Sequence, residues 1–150
     1  MAEHVLRREL AEAGVVASVA SAGLRVRREG VPADPRAQHV LGAIGLQLEH
    51  SARAFEPAMF GGYDLIIALD SQHEWVLRKV APDPEAAARV RLLGSFAPAA
   101  DAGWDVPDPV GGDLGDYERA LRLISTAMPG VLAAVESAIR RAGPAEPAEA

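Results

Sequence analysis

Apolar residues recur at steps of three and four in four stretches of the chain, and this spacing is typical of a helix with one buried face. The stretches cover residues 2–13, 34–45, 71–81 and 116–141. Two begin with helix-start signals: Asp34 precedes Pro35, and Ser71 is followed by Glu74 in capping-box spacing. In the third helix the buried side is predicted to consist of Trp75, Val76 and Val80.

Three shorter apolar stretches between the helices suit β-strands. They cover residues 15–21, 63–70 and 90–93, and the middle one is a continuous apolar run bounded by Asp64 and Asp70. Such a run is typical of a parallel sheet covered by helices on both faces. The alternation of helices and strands therefore predicts an α/β domain with a parallel sheet, about three strands and four main helices.

Loops and ends complete this organisation. Residues 94–115 form a long stretch rich in Gly and Pro, and loops of this length are usually functional or disordered. Residues 1–142 are predicted to be one domain, and residues 143–150, rich in Pro, Ala and Glu, a disordered tail.

Charge and composition narrow the function classes. With 15 basic and 21 acidic residues the net charge is −6, so neither nucleic acid nor a membrane surface is the expected partner. We find no signal-peptide pattern and no apolar run of membrane length, which predicts a cytoplasmic protein. The chain has no cysteine, which excludes disulfides, thiolate metal sites and any thiol nucleophile on these residues. Its four histidines are too dispersed for a metal site, and no cofactor is expected.

Four segments, in the same order along nearly the whole chain, resemble the low-molecular-weight protein-tyrosine phosphatases. They are MAEHVL at residues 1–6, SAG at 21–23 followed by DPRA at 34–37, LIIALD at 65–70 with VRLL at 90–93, and DVPDP at 105–109. The last is the most specific, and it stands shortly before a helix that contains Tyr117.

The resemblance implies a flavodoxin-like, doubly wound domain of the phosphotyrosine protein phosphatase I type that hydrolyses phosphomonoesters through a cysteinyl-phosphate intermediate. In that family a C-x-x-x-x-x-R-S loop after the first strand cradles the phosphate, and an aspartate on a distant loop protonates the leaving oxygen. By resemblance Asp108 is this general acid, and Ser21 and His50 support the cradle from behind. The implied substrate-facing residues are Arg27, Arg28 and Val110.

One departure from the family bears on activity. The family's first strand and cysteine loop precede the residue that matches Met1, so we expect this chain as written to be inactive. Two hypotheses follow. Either the natural protein starts upstream and includes the cysteine loop, or the chain is a catalytically dead, phosphatase-like module that binds a phosphorylated partner.

Two further departures concern the substrate. Arg27 stands where many members place a substrate-stacking tryptophan, and Val110-Gly111-Gly112 replaces the tyrosines that usually follow the acid. The second feature is similar to bacterial branches that include protein-arginine phosphatases and arsenate reductases. The expected partner remains a phosphorylated protein or a small phosphomonoester.

The missing strand also has a structural consequence. In the family it lies between the strands that match residues 15–21 and 63–70, and its absence would leave two unpaired ladders facing a gap. We therefore predict one of three outcomes: the two strands close up and pair directly, a second chain donates a strand in a homodimer, or the product is poorly soluble.

Overall fold

The computed structural model describes residues 1–26, 29–47, 49–99 and 102–142, and within them the chain forms five α-helices and two β-strands. In chain order these are α1 (Ala2–Glu12), α2 (Pro35–Gly42), β1 (Ile66–Ala68), α3 (Ser71–Val80), α4 (Pro84–Ala88), β2 (Val90–Leu92) and α5 (Leu114–Ala142). Two 3-10 turns lie at Pro57–Gly62 and Leu93–Phe96. The predicted tail, residues 143–150, lies outside the described residues.

The two strands pair in parallel, with Ile66 opposite Val90 and Ala68 opposite Leu92. Helices α3 and α4 make the crossover between them. This confirms the α/β class with a parallel sheet, although each strand is three residues long and shorter than the apolar run that predicted it.

The predicted strand at residues 15–21 does not form in the structure. These residues have no ladder partner, the side chain of Val16 is 93% exposed, and β1 has β2 as its partner. Arginine side chains instead bind two of the backbone carbonyl groups: Arg7 donates to the Val19 carbonyl at 2.7 Å, and Arg53 donates to the Ser21 carbonyl at 2.8 Å. Direct pairing of this segment with β1 was one of the three predicted outcomes, and the described residues do not show it.

The core has two parts. The larger part lies between α1, α2 and α5 and includes Val5, Leu41 and Ile124, each almost completely buried. The smaller part lies between the two strands, α3 and α4, and includes Phe60 and Leu77. Together the two parts hold the carboxyl end of β1 in place beside the long loop that follows β2.

Helix α3 differs from its prediction in two ways. Its cap is Asp70, which accepts the His73 amide at 2.6 Å, because Ser71 is the first helical residue. Its buried residue is Leu77, whereas Trp75 is 63% exposed and Val80 48%. At about 100° per residue Trp75 lies about 200° from Leu77, so the two cannot face the core together. The Lys79 ammonium lies over the Trp75 ring, 5.8 Å from its centroid.

Helix α5 extends the predicted range of residues 116–141 slightly at both ends. It is long and apolar enough to cross a membrane by length and composition, contrary to our expectation that no such stretch exists. Its apolar face nevertheless packs against α1 and α2, with Tyr117, Ile124 and Val131 almost fully buried.

Candidate active site

The loop that carries the proposed acid, here the acid loop (residues 105–113), is joined to the carboxyl end of β1. The Val106 amide donates to the Leu69 carbonyl at 2.8 Å, and the Val106 side chain is buried. The Asp105 carboxylate accepts the amide of Ser71 at 2.9 Å and its hydroxyl at 2.8 Å. The acid loop therefore starts at the edge of a parallel sheet where ligands commonly bind.

Asp108 lies in the loop between β2 and α5, as its sequence predicts, and it is exposed. Its carboxylate accepts the Val110 amide at 3.0 Å, an Asx-type turn that fixes the side chain relative to its own backbone. Val110 is 73% exposed. Both side chains are thus exposed to solvent on the acid loop.

The far end of the acid loop is held by a group of residues from three elements, here called the Arg36 cluster (Asp34, Arg36, Gly112 and Tyr117). Arg36 donates to both oxygens of the Asp34 carboxylate, at 3.0 and 2.7 Å, and also to the Gly112 carbonyl. Its guanidinium lies over the Tyr117 ring, 4.8 Å from the centroid. The helix start of α2 is therefore bound to the acid loop and to α5.

Charges in the Arg36 cluster change the acidity of its members. The side chain and amide of Arg36 donate to the Asp34 carboxylate and hold the pKa of that carboxyl well below its usual range. Burial raises the pKa of Tyr117, and the Asp34 carboxylate acts in the same direction. The two groups are close, although the Tyr117 hydroxyl is buried and forms no hydrogen bond of ordinary geometry with a described residue.

The acid loop is closely packed against Asp116 at Gly112, where it returns into α5. A Cβ atom there would lie 2.1 Å from a carboxylate oxygen of Asp116. That carboxylate is committed, since it accepts the Asp113 amide at 3.0 Å while the Asp113 carboxylate accepts the Asp116 amide at 3.2 Å. A side chain at position 112 would therefore displace the Asp116 carboxylate from these hydrogen bonds.

Ser21 and His50 lie together in a separate cleft of about 230 Å³, here called the back cleft. The lining is mostly polar and consists of Glu3, Arg7, Ala20, Ser21, Glu49, His50, Ser51 and Arg53. The Ser21 hydroxyl donates to the Glu3 carboxylate, which also pairs with Arg7 at 2.6 Å. Ser21 and His50, both assigned by resemblance to support of the phosphate cradle, thus line one cleft, and that role stays a prediction.

His50 is the titratable group of the back cleft with a shifted pKa. Burial lowers the pKa of its imidazole below the ordinary value, and His4 and Arg53 add repulsion in the same direction. The Glu3 carboxylate opposes them. A neutral imidazole at neutral pH suits a hydrogen-bonding support rather than a charged one.

The structure does not unite all the predicted site residues. Asp108 and Val110 lie on the acid loop and Ser21 and His50 in the back cleft, and no described contact links the two places. Arg27 and Arg28 lie outside the described residues. Among the residues that are described, no three His, Cys, Asp or Glu side chains are grouped as metal ligands would be.

Two features that hold the acid loop were not predicted from the sequence: the Asp105 carboxylate and the Arg36 cluster. Asp105 opens the DVPDP motif, but nothing in that motif indicates its contact with Ser71. Arg36 follows directly after the Asp34-Pro35 helix start, and nothing in the local sequence connects it with Gly112, 76 residues away.

Comparison with known proteins shows the family to which this chain is similar. A family model described as low molecular weight phosphotyrosine protein phosphatase matches residues 1–141. The low molecular weight protein-tyrosine-phosphatase of Streptomyces coelicolor is 42% identical over 142 residues, covering 93% of this chain and 87% of that protein. Low molecular weight protein-tyrosine phosphatase A of Mycobacterium tuberculosis is 36% identical over 147 residues, covering 96% and 88%.

Structural comparison agrees. A protein tyrosine phosphatase from Entamoeba histolytica, solved with Hepes in its active site, has a TM-score of 0.82 and 22% identity, over 91% of this chain and 87% of that one. The fold is thus the flavodoxin-like fold of these phosphatases. The chain belongs to the low molecular weight phosphotyrosine protein phosphatase family.

Proposed function

We propose that these residues form the scaffold and the acid-bearing part of a cysteine-dependent phosphatase that acts on phosphomonoesters of proteins or small molecules in the cytoplasm. The observation that carries the proposal is the exposed Asp108 on a loop joined to the carboxyl end of β1. Membership of the family indicates the reaction, which needs a thiolate and an acid. The exposed position of Asp108 supports its assignment as the acid.

The proposed chemistry needs two groups that act at once. A thiolate attacks phosphorus and forms a sulfur–phosphorus bond, while the bond from phosphorus to the leaving oxygen breaks and Asp108 gives that oxygen its proton. Water then hydrolyses the cysteinyl phosphate, and the Asp108 carboxylate accepts a proton from that water. These 150 residues contain no cysteine, so they provide the acid and the support but not the nucleophile.

The surroundings of Asp108 bear on the substrate. Val110 is exposed beside the acid and is the described residue best placed to meet the leaving group. It offers apolar contact but no aromatic ring, which favours a substrate other than phosphotyrosine. One such substrate is phosphoarginine, a phosphoramidate in which the bond from phosphorus to nitrogen would break and Asp108 would protonate the leaving nitrogen. Ser21 and His50 are proposed to support the phosphate cradle from the back cleft, which is lined by Arg7 and Arg53.

A second candidate is a binding module without turnover. The absence of a thiol favours this alternative, together with Arg53 in the back cleft, since arginine binds phosphate well and Arg7 is already paired with Glu3. Under this alternative, phosphopeptide or phosphoarginine binds the chain with no release of phosphate.

The test uses the 150-residue chain alone and the same chain preceded by an apolar strand and a C-x-x-x-x-x-R-S loop. We expect no hydrolysis of p-nitrophenyl phosphate by the chain alone and measurable hydrolysis by the extended chain. Replacing the new cysteine by serine should abolish turnover, and Asp108→Asn should lower it by about 100-fold or more.

Two outcomes contradict the proposal. An extended chain that folds but does not hydrolyse the ester would show that this scaffold does not support the reaction. Phosphate release by the chain alone, lost in Asp108→Asn, would show that a group other than a thiol attacks phosphorus. Calorimetric titration of the chain alone with phosphoarginine and phosphotyrosine then decides the second candidate, and silence at millimolar ligand would exclude it.

A further inference from the structure

We propose that Arg36 is the positioning residue of the acid loop: it holds the Gly112 end of the loop to the start of α2 and thereby sets where Asp108 points. This inference rests on the proposed function for its consequence in catalysis. Its structural part concerns the described residues alone, and it can be tested without any turnover.

The two ends of the acid loop are held in different ways. The first end is bound to the body of the domain by the Val106 backbone and by the Asp105 carboxylate, which both contact residues directly after β1. Beyond Asp108 the loop's own hydrogen bonds are local, since the Gly112 amide donates to the Pro109 carbonyl at 3.0 Å. The hydrogen bond from Arg36 to the Gly112 carbonyl joins this second end to a different element.

Arg36 is itself immobilised by two residues, Asp34 and Tyr117. The Asp34 carboxylate accepts its backbone amide at 2.8 Å and two guanidinium nitrogens at 3.0 and 2.7 Å. The Tyr117 ring covers the guanidinium from α5. An arginine fork held against a carboxylate and an aromatic face has little rotational freedom left, so the remaining N–H groups point in a set direction.

The consequence for Asp108 follows from the short path along the loop. The Val110 amide that orients the Asp108 carboxylate lies between Asp108 and the Gly112 carbonyl. Release of Gly112 would free that amide to move and would let the carboxyl group sample other directions. A general acid is effective only within hydrogen-bond reach of the leaving oxygen, so the same release would impair proton transfer.

The primary experiment measures amide hydrogen exchange by NMR on the full 150-residue chain. In Arg36→Gln the amides of Val110 and Gly112 are expected to exchange about tenfold faster or more, because a charge-assisted hydrogen bond is lost. Arg36→Lys keeps the charge but not the fork, and it should fall between the wild type and Arg36→Gln. The amide of Ile124 in α5 serves as the internal reference for global unfolding.

Arg78→Gln is the matched control. Arg78 also pairs with a carboxylate, Glu74 at 2.8 Å, and donates to a backbone carbonyl, Val90 at 3.0 Å, but it lies away from the acid loop. It should leave the exchange of Val110 and Gly112 unchanged. If Arg36→Gln does not fold, Arg36→Lys is judged by the same criterion.

Two results would overturn the inference: unchanged exchange at Val110 and Gly112 in the Arg36 variants, or an increase there no larger than at Ile124. In the extended, active chain, Arg36→Gln should slow hydrolysis of phenyl phosphate about tenfold more than that of p-nitrophenyl phosphate, whose leaving group needs less protonation. An extended chain without activity would end the proposed function and leave the exchange result valid.

Discussion

The acid loop and the segment at residues 15–22 both lead to proposed site residues, yet their backbones are stabilised in different ways. The acid loop is hydrogen-bonded to β1, α3 and Arg36 at its two ends. Residues 15–22 form no strand ladder, and Val16 is 93% exposed. An irregular loop is thus more firmly held than a segment whose composition favours a strand.

This difference shows what each kind of structure needs. The acid loop depends on contacts with single side chains and carbonyl groups that this chain contains. A strand depends on a neighbouring strand, because the side-chain pattern cannot satisfy backbone amides and carbonyls by itself. The residues around the proposed acid are therefore held by backbone and side-chain contacts, whereas residues 15–22 are held by side chains without a strand partner.

The largest expected effect comes from Gly94→Ala. A Cβ atom at Gly94 would lie 2.1 Å from the Trp104 carbonyl oxygen, just before the acid loop begins. The overlap should lower the free energy of unfolding by about 2–3 kcal/mol or more, measured by urea denaturation. Gly61→Ala is the control, since no atom lies within 4 Å of its added Cβ. A Gly94→Ala variant as stable as the control would show that this approach is not close.

A smaller effect is expected from Asp105→Ala. The substitution removes both hydrogen bonds to Ser71 and should cost about 1–2 kcal/mol of unfolding free energy, because the carboxylate is exposed to solvent. Ser71→Ala loses the hydroxyl bond alone and should cost about half as much. Asp64→Ala, at another exposed aspartate, is the control. Equal stabilities of the Asp105 and Asp64 variants would contradict the attachment of the acid loop to α3.

A third prediction concerns pH and the back cleft. Since burial lowers the pKa of His50, the unfolded chain binds a proton at a higher pH than the folded chain does. The folded protein should lose stability as the pH falls below about 6.5, until it reaches the lowered pKa of His50. In His50→Gln this part of the loss should disappear from urea midpoints measured between pH 7.5 and pH 5.

His39 is an exposed residue of α2, and His39→Gln is the matched control. This variant should keep the wild-type dependence of stability on pH. If His50→Gln and the wild type lose stability in parallel between these pH values, His50 is not buried in the way the back cleft requires.

The smallest effect is expected at Val16. Because its side chain is 93% exposed, Val16→Ala should change the free energy of unfolding by less than about 0.5 kcal/mol. Val5→Ala, at a fully buried valine of α1, should cost about 2 kcal/mol by the same urea measurement. Similar losses in both variants would show that residues 15–22 are covered in solution, and the contrast with the acid loop would then be wrong.

Part of the site was accessible from the sequence. The Gly- and Pro-rich composition of residues 94–115 predicted that Asp108 lies in a loop, and it does. Ser21 and His50 share the back cleft, but their support of a phosphate cradle stays a prediction. The role of Asp108 as the acid stays a prediction. Arg27 and Arg28 were assigned to substrate contact by resemblance alone, and that assignment also stays a prediction.

Sequence alone determined the features that depend on near neighbours: the helix periodicities, the Asp34 cap of α2, the apolar runs of β1 and β2, and the lack of a thiol. Tertiary structure decided which apolar segments pair as strands and which distant groups hold the loops. Asp70, not Ser71, caps α3, and Ser71 is hydrogen-bonded to Asp105. Residues 15–21 form no strand. Arg36 donates a hydrogen bond to the Gly112 carbonyl. A cap or a helix face is completed within a turn or two of chain, whereas a ladder or a held loop requires a group from a distant segment.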